Sequence, residues 1–312
     1  MIRVFLLSLL LAGAAQAQRF PSKPIHVVVP SPPGGPPDLI IRMLAPKMQL
    51  GQPLVVENRA GAGGIVGTAY VAKQPADGHV WLFTTASHVN TPPFNENVPF
   101  DPVKDFVHVT LAAQNFGQAL LVRPDAPFTT VQQLIDEARR HPGKLNYASA
   151  GIGTASHIPA ELMKSMAGVD IVMVPYKGVA EAVTDVLAGR MDLFFVGTQL
   201  AAQHAKSGKA RVLALTGAKR WKGLPDVPTL QEAGFKDYNL INWFGLWLPA
   251  GAPPEVAQRI HAEVVKALAD PDVKQQFDQQ GLEGVGMPPA EFARFVQKES
   301  LFINELARKI RR

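Results

Sequence analysis

Strand-like and helix-like segments alternate along this chain, and that order restricts the fold more than any other feature of its sequence. The run IHVVVP at 25–30 is short, apolar and β-branched, which is typical of a buried strand, and the apolar residues after Asp38 recur at helical spacing. The rest of this first series consists of predicted strands at 53–58, 79–85 and 118–124 and predicted helices at 64–74 and 129–143. Such alternation predicts a doubly wound, parallel α/β sheet with ligands at the carboxyl ends of its strands.

A second series of strand-like runs begins after residue 143. Each run ends in glycine or in a small polar residue, and the runs are KLNYASAG, VDIVMVPYKG, RMDLFFVG and ARVLALTG. The apolar segment 239–251 predicts a strand that returns to the first series, and two helices at 253–270 and 288–310, each with proline at its front, close the chain. We therefore predict two α/β domains that face each other across a ligand cleft, with crossover strands near 118–124 and 239–248.

The first 17 residues have the features of a secretory signal peptide. Arg3 precedes an apolar run too short for a comfortable membrane span, and Ala15-Gln16-Ala17 satisfies the small-x-small rule for cleavage. We predict cleavage after Ala17. The chain contains no cysteine, so it forms neither a disulfide nor a lipid anchor on cysteine, and together these features predict a periplasmic protein. The predicted division is residues 18–120 plus 240–312 for domain 1 and residues 121–239 for domain 2.

Composition and charge exclude one class of partner. Hydrophobic residues make up 47% and charged residues 18% of the chain, which is the balance of a globular protein. The chain has 31 basic and 26 acidic residues, a formal charge of +5, and apart from the terminal ARKIRR the basic residues are scattered. Because no basic stripe marks a nucleic-acid interface, no nucleic-acid partner is expected.

The loop PPGGPPD joins the first predicted strand to the first predicted helix. Gly34 and Gly35 expose bare backbone amides, flanking prolines stiffen the approach, and Asp38 is placed to cap or open the helix. An amide-rich loop at a helix N-terminus suits an anion. Two interpretations stay open: an anion-binding loop, or a tight strand-to-helix turn with a helix cap.

The loop GIGTASH is the richest of the candidate loops. Gly153 has no side chain and so leaves its backbone amide accessible, Thr154 and Ser156 add hydroxyls, and a predicted helix begins there. Hydroxyls together with unpaired amides at a helix N-terminus can hold a carboxylate without a buried cation. The alternative is an ordinary threonine or serine N-cap, and His157 could cap the helix or orient the loop through a hydrogen bond.

Five further candidates come from other loops and strand ends. Thr85 and Ser87 lie in TTASH, and Tyr176 and Lys177 lie in PYKG, where Lys177 is the one cation of the set. Tyr176 suits a pocket wall or a core edge equally well. Asp192 is flanked by apolar residues, and it could receive a ligand ammonium or hydroxyl group or satisfy the amides of a neighbouring loop.

The motifs of familiar enzymes are missing from the sequence. GAGGIVG begins like a dinucleotide-binding fingerprint, but Val66 stands where the third glycine belongs. No G-x-S-x-G elbow, Walker loop or H-E-x-x-H motif occurs. His157 and Glu161 are spaced for a shared metal, yet no third ligand is identifiable. The sequence therefore predicts no catalytic residue, no metal and no cofactor.

The chain carries a series of long motifs, which in order are PPGGPPD, VENRAGAGGIVGTAYVAKQPADGHVWLFTT, NVPFDPVKDF, PGKLNYASAGIGTASHIPAELMKSMAGVDIVMVPYKG, DVLAGRMDLFF, LPDVPTLQEAGF and WFGLWLPAGAP. Together they resemble the Bug proteins, also called TctC-like receptors, which are the periplasmic solute-binding components of tripartite tricarboxylate transporters. The resemblance covers essentially the whole chain after the predicted signal peptide.

This resemblance implies a two-domain receptor of the type II periplasmic binding protein class, with a closing cleft and no enzymatic activity. It implies that amides, hydroxyls and bridging waters hold a small organic carboxylate: a di- or tricarboxylate, an acidic amino acid or an aromatic acid. A monomeric receptor would then deliver this ligand to membrane permease subunits. The implied ligand-binding residues are Gly34, Gly35, Thr85, Ser87, Gly153, Thr154, Ser156, His157, Tyr176, Lys177 and Asp192.

Two departures from the family pattern fall near the implied ligand. Pro37 stands where the family usually has threonine or a similar small residue, which deletes one amide and one hydroxyl, and ASHVNTPPFNENVPF differs from the usual aromatic-containing run. Ligand identity therefore stays open. So does the partner, because a ligand sensor of the same fold could signal to a membrane kinase, and the neighbouring genes would distinguish the two. A periplasmic hydrolase is a third alternative, against which the lack of a nucleophile–base pair speaks.

Overall fold

Two β-sheets, each flanked by helices, form the framework of the protein. The structure is a computed structural model that describes residues 20–95, 97–176 and 178–310. The predicted signal peptide and Lys177 lie outside the described residues. No helix in the described ranges is long and apolar enough to cross a membrane.

The elements alternate between strand and helix through most of the chain. The strands are β1 (Ile25–Val29), β2 (Leu54–Asn58), β3 (Val80–Thr85), β4 (Phe106–Asn115), β5 (Gln118–Val122), β6 (Asn146–Ser149), β7 (Val172–Pro175), β8 (Leu193–Gly197), β9 (Arg211–Leu215), β10 (Trp243–Pro249) and β11 (Leu282–Gly284). The helices are α1 (Pro36–Leu44), α2 (Ile65–Ala72), α3 (Ser87–Asn90), α4 (Val131–Arg140), α5 (His157–Ala167), α6 (Val179–Leu187), α7 (Thr198–Lys206), α8 (Pro254–Ala269), α9 (Pro271–Gln279) and α10 (Pro289–Ile310).

The first sheet has the strand order β11-β4-β10-β3-β1-β2. Strand β1 is parallel to β2 and β3, with Val27 opposite Val56 of β2. The side chains of Ile25, Val27 and Val29 join one hydrophobic cluster, and Val28 joins another. Because both faces of β1 are covered, β-branched apolar residues fill nearly all of it.

The second sheet has the strand order β7-β6-β8-β5-β9. Strand β6 is parallel to both β7 and β8, with Tyr147 of β6 opposite Leu193 of β8. The loops that leave β6 and β8 therefore emerge side by side at the carboxyl edge of this sheet. That edge is where an α/β sheet binds its ligands.

The predicted α/β fold is confirmed, but both sheets are mixed and contain antiparallel as well as parallel strand pairs. In the first sheet β10 is antiparallel to β3 and β4, and in the second β5 is antiparallel to β8 and β9. The reason is that β4 and β5 are joined by Phe116 and Gly117 alone. Strand β4 leaves the first sheet at its carboxyl edge, and β5 enters the second sheet at the carboxyl edge that faces it. Strand β5 is therefore antiparallel to β8 and β9.

The crossing at Gly117 leaves no room for a side chain. Its φ is +89°, and a Cβ there would lie 2.3 Å from Oγ1 of Thr216 and 2.7 Å from the nitrogen of Gly217. Strand β5 belongs to the second sheet from Gln118 onward, whereas the predicted boundary falls after residue 120. The division into domains itself stays a prediction.

Sequence patterns missed four elements, one of which is the single-turn helix α3 in the predicted loop TTASH. The predicted pair of closing helices is in fact three helices, because Asp270 caps α9 by accepting from the amides of Asp272 and Val273 immediately after α8 ends. Strand β4 was missed because polar His108 and Thr110 interrupt its apolar run, although both side chains are buried. Strand β11 has only three residues.

Helix α10 contacts both halves of the molecule. Near its beginning, Phe292 packs against Trp243 and Trp247 of the first sheet. Near its end, Ile303 and Leu306 form a buried cluster with Ile158 of α5, which belongs to the second half. The C-terminal helix therefore ties α5 to the first sheet.

Candidate functional site

Two cavities large enough for a small molecule lie between the sheets. One, which we call the apolar cavity, has a volume of about 440 Å³ and lies between α1 and the N-terminal end of α7. The other, which we call the polar cavity, has about 470 Å³ and lies between the loop after β3 and the loop after β6. Thr154, Ala155 and Asn242 border both. Both volumes fall within the range of sites for small molecules.

The loop 150–157 after β6 is held together by its own side chains. Thr154 Oγ1 lies 2.6 Å from the Gly151 carbonyl and 3.0 Å from Ser156 Oγ, and Ser156 Oγ accepts from the Ala150 amide at 3.0 Å. Thr154 therefore donates its proton to Gly151, and Ser156 donates its proton to Thr154. With both hydroxyl protons engaged inside the loop, these side chains shape the site instead of offering protons to a ligand.

The donors left over in this loop are backbone amides. Ser156 occupies the N-cap position of α5, but its hydroxyl makes no cap to that helix. In the described part of the chain the amides of Ala155 and Ser156 donate to no acceptor. Unpaired amides at the positive end of a helix dipole form a place where a carboxylate binds without a cation.

His157 stabilises the loop 150–157 through a hydrogen bond to its buried ring. It is buried, and its Nδ1 accepts a hydrogen bond of 3.2 Å from the Gly153 amide, which leaves the proton of the neutral ring on Nε2. Burial lowers the pKa of His157 and outweighs the nearby charge of Glu161. His157 borders neither of the two cavities. The structure therefore favours the loop-orienting interpretation, with the ring as acceptor instead of donor.

Thr85 and Ser87 face this loop from the first sheet. Thr85 Oγ1 donates to Ser87 Oγ at 2.9 Å and accepts from the Ser87 amide at 3.1 Å, which leaves the Ser87 hydroxyl proton free. Both residues border the polar cavity, as do Gly153 and Thr154 on the other side. The structure thus brings together four of the residues predicted from the sequence.

The PPGG loop places its amides differently from the prediction. The Gly34 amide donates to the Asp38 carboxylate at 2.9 Å, and the Gly35 amide points at the Pro32 carbonyl at 3.4 Å. Burial acts to raise the pKa of Asp38, but hydrogen bonds from Gly34, Asn58 and Arg42 outweigh it and hold that pKa below its usual value. A carboxylate of the protein therefore already occupies this helix N-terminus. Ligand contact at Gly34 and Gly35 stays a prediction, and it would require these bonds to be replaced.

Two other predicted residues lie away from the cavities. Asp192 Oδ2 accepts from the Asn146 amide at 2.8 Å, at the amino ends of β6 and β8. At roughly 3.3 Å per residue the length of β8 puts it more than 15 Å from the cleft edge, so the loop-satisfying interpretation is the one observed. The Tyr176 hydroxyl donates to Asp185 Oδ2 at 2.6 Å, and burial together with that carboxylate raises the pKa of Tyr176 to about 12.

Sequence reasoning missed several residues that border the apolar cavity. Thr198 is the first residue of α7 and directly follows the strand-like run RMDLFFVG. Gln118 and Asn242 come from the two crossing segments, and Leu39 and Met43 come from α1. The sequence signal that could have identified Thr198 is its position directly after a strand. The apolar residues of α1 have the same spacing as those of a core helix, so their sequence gives no signal of a cavity wall.

The protein has two lobes, and the ends of their strands face each other across a cleft. This arrangement is that of a solute-binding protein. The chain belongs to the TctC family, the tripartite tricarboxylate transporter family receptors, whose family model matches residues 40–311. Proteins of this fold and family are periplasmic binding proteins, which are receptors and not enzymes.

Individual relatives agree with this assignment. BugT of Bordetella pertussis is 32% identical over 96% of this chain and 92% of its own length. The structure of R. palustris Rpa4515 with adipate is 32% identical with a TM-score of 0.78, and it matches 93% of this chain and 97% of that one. MatC from Rhodopseudomonas palustris with bound malate is 29% identical with a TM-score of 0.76, over 92% and 100% of the two chains.

Proposed function

We propose that this protein captures a small organic carboxylate in its cleft, in the periplasm, and delivers it to the membrane permease of a tripartite tricarboxylate transporter. In this proposal residues 1–17 are removed as a signal peptide during export. The receptor acts as a monomer and uses no cofactor.

The observation that carries this proposal is the pair of unpaired amides at Ala155 and Ser156. They lie at the N-terminus of α5, beside the border of the two cavities, and no charged side chain lines either cavity among the described residues. Fixed amide dipoles can bind an anion without the desolvation cost of a buried lysine or arginine. Adipate and malate in the related structures are acids of this kind.

Binding should close the cleft. A carboxylate at Ala155 and Ser156 that also reaches Thr85 and Ser87 makes contacts with both lobes, and only such spanning contacts favour the closed state. Lys177 lies outside the described residues, and a contribution from its charge stays a prediction.

Calorimetry on the chain that begins at Gln18 tests the proposal. The protein is first unfolded and refolded to remove any solute that it carries, and it is then titrated with succinate, adipate, benzoate, hexanoate and glutamate. The corresponding amides of the non-amino acids are the matched controls. Binding of at least one acid and of none of the amides supports the proposal. A folded protein that binds no acid, or that binds amides equally well, overturns it.

Delivery to a permease needs a separate measurement. A strain that lacks the receptor gene should lose uptake of the acid that binds in vitro, and the wild-type gene should restore that uptake. Uptake that continues at the wild-type rate without the receptor would overturn the transport role.

A further inference from the structure

We propose that the ligand is a monocarboxylate with an apolar body, whose acid group binds to the second lobe and whose body fills the apolar cavity against α1. This inference rests on the proposed function and specifies its ligand. It separates this protein from receptors for compact di- and tricarboxylic acids.

The first argument is the wall of the apolar cavity. Leu39, Ile40 and Met43 of α1 line it from the first lobe, and Val179 and Leu200 line it from the second. Leu39 is 39% exposed and Val179 is 42% exposed, although both are apolar and border the same cavity from opposite lobes. An apolar ligand body between them would remove both surfaces from water, which favours binding in proportion to the area covered.

The second argument is the position of the unpaired polar groups. Thr198 is the first residue of α7, is only 3% exposed and borders the apolar cavity, and its hydroxyl has no partner in the described chain. The side-chain amide of Gln118, a residue 9% exposed, is likewise unpartnered there. Because β6 and β8 are neighbours, Thr198 lies on the same edge as Ala155 and Ser156. All of these donors belong to residues that border the apolar cavity, and in this proposal they bind the acid group together.

The third argument is that the first lobe has no binding position for a second acid group beside α1. Pro36 and Pro37 occupy the first two positions of that helix and have no amide proton. The buried Asp38 carboxylate accepts from Gly34 at the same helix end. The α1 residues that line the cavity are Pro36, Leu39, Ile40 and Met43, whose side chains carry neither a charge nor a hydrogen-bond donor. A second ligand carboxylate beside them would be buried without a partner, which is costly.

A homologous series of acids tests the inference. Propionate, butyrate, hexanoate and octanoate carry one acid group and a growing apolar body, and succinate and adipate carry a second acid group at the far end. We expect affinity to rise roughly fourfold per methylene until the cavity is full, and hexanoate to bind at least tenfold more tightly than adipate. If adipate or succinate binds as tightly as hexanoate, the inference is overturned while the proposed function stands. If none of these acids binds but glutamate does, the inference is overturned and the proposed function stands. If no acid binds, with benzoate and glutamate included, both are overturned.

A variant pair locates the body of the ligand. Leu39→Gln places a polar group on the wall of the apolar cavity and should weaken hexanoate binding about tenfold while leaving propionate binding within twofold. Leu301→Gln is the matched control, because Leu301 is exposed on α10 and lines neither cavity. Both variants are surface changes, so their unfolding midpoints should stay close to that of the wild type. Equal hexanoate affinity in Leu39→Gln and Leu301→Gln would overturn the placement.

Discussion

The carboxylate of Asp38 accepts a hydrogen bond of 2.9 Å from the backbone amide of Gly34 and so closes the N-terminus of α1 with a charge of the protein itself. The same carboxylate accepts from Arg42 and Asn58. A loop with the composition of an anion-binding loop is thereby converted into a structural turn. In the second lobe, by contrast, the amides of Ala155 and Ser156 at the start of α5 have no acceptor among the described residues.

Replacing Asp38 with asparagine should destabilise the protein. The amide side chain can still accept from Gly34, but its NH₂ group would face the donors of Arg42 and Asn58. We expect a loss of about 1–3 kcal/mol in the free energy of unfolding, measured by urea denaturation. The exposed Asp226→Asn is the control and should behave like the wild type. An equally stable Asp38→Asn would contradict the role of this carboxylate.

The same carboxylate should make stability depend on pH in acid. Its pKa is held below the usual value in the folded state, so its contribution is complete above pH 4 and is lost as pH falls through the folded pKa. The Asp38→Asn variant should therefore lose less stability than the wild type between pH 4 and pH 2.

The hydroxyls of Thr154 and Ser156 should matter through the loop that they shape. Thr154→Ala removes the hydrogen bond from Thr154 Oγ1 to the Gly151 carbonyl, and Ser156→Ala removes the hydrogen bond from the Ala150 amide to Ser156 Oγ. Each variant should bind a carboxylate about five- to tenfold more weakly, which is equivalent to one hydrogen bond. Thr154→Ser retains the hydroxyl and should bind within twofold of the wild type. Calorimetry measures the affinities, and circular dichroism checks the fold. Normal binding by both alanine variants would contradict the shaping role of these hydroxyls.

Asp192→Asn should leave ligand affinity unchanged. Its carboxylate accepts from the Asn146 amide at the amino end of the second sheet, and the asparagine side chain can still accept there through Oδ1. We expect the same affinity within twofold and a modest loss of stability. A tenfold loss of affinity with an unchanged unfolding midpoint would restore Asp192 to the ligand site.

Buried His88 should make the protein less stable in mild acid. Burial lowers its pKa to about 3, while its ring nitrogen Nε2 lies 2.8 Å from the Pro102 carbonyl and donates to it as a neutral ring. Because the unfolded chain takes up a proton near pH 6.5 and the folded chain does not, stability falls with pH below that value, by about 2 kcal/mol at pH 5. Thermal unfolding from pH 7.5 to pH 5 measures this fall.

Paired variants isolate the contribution of this histidine. His88→Gln should be less stable at pH 7.5 but should show a shallower fall toward pH 5, and the exposed His141→Gln should keep the wild-type slope. Burial raises the pKa of Glu299, which acts in the opposite direction. A wild-type slope in His88→Gln would assign the acid sensitivity to other groups.

Local sequence patterns predicted the alternation of strands and helices because burial on both faces leaves long apolar runs, as in β1. They also predicted Thr85, Ser87, Gly153 and Thr154, which border one cavity because the carboxyl edges of the two sheets face each other. They could not show that Asp38 already binds the Gly34 amide, since that depends on how the turn closes. Ligand binding by these residues stays a prediction.

The other features that the sequence did not predict depend on tertiary structure. Asp192 and Thr198 flank the same strand, and only the sheet decides which of them faces the cleft. Leu39 carries the pattern of an ordinary amphipathic helix, so its place on a cavity wall depends on the second lobe. The crossing at Gly117 sets the antiparallel strands, and no periodicity reports a change of sheet.

The contact of α10 with α5 has a mechanical consequence. Ile158 lies two residues from Ser156 and is buried against Ile303 and Leu306. A lobe rotation that keeps these side chains out of water has its axis beside this contact. Because displacement grows with distance from the axis, such a rotation would move the amides of Ala155 and Ser156 least and the far rim of the cleft most.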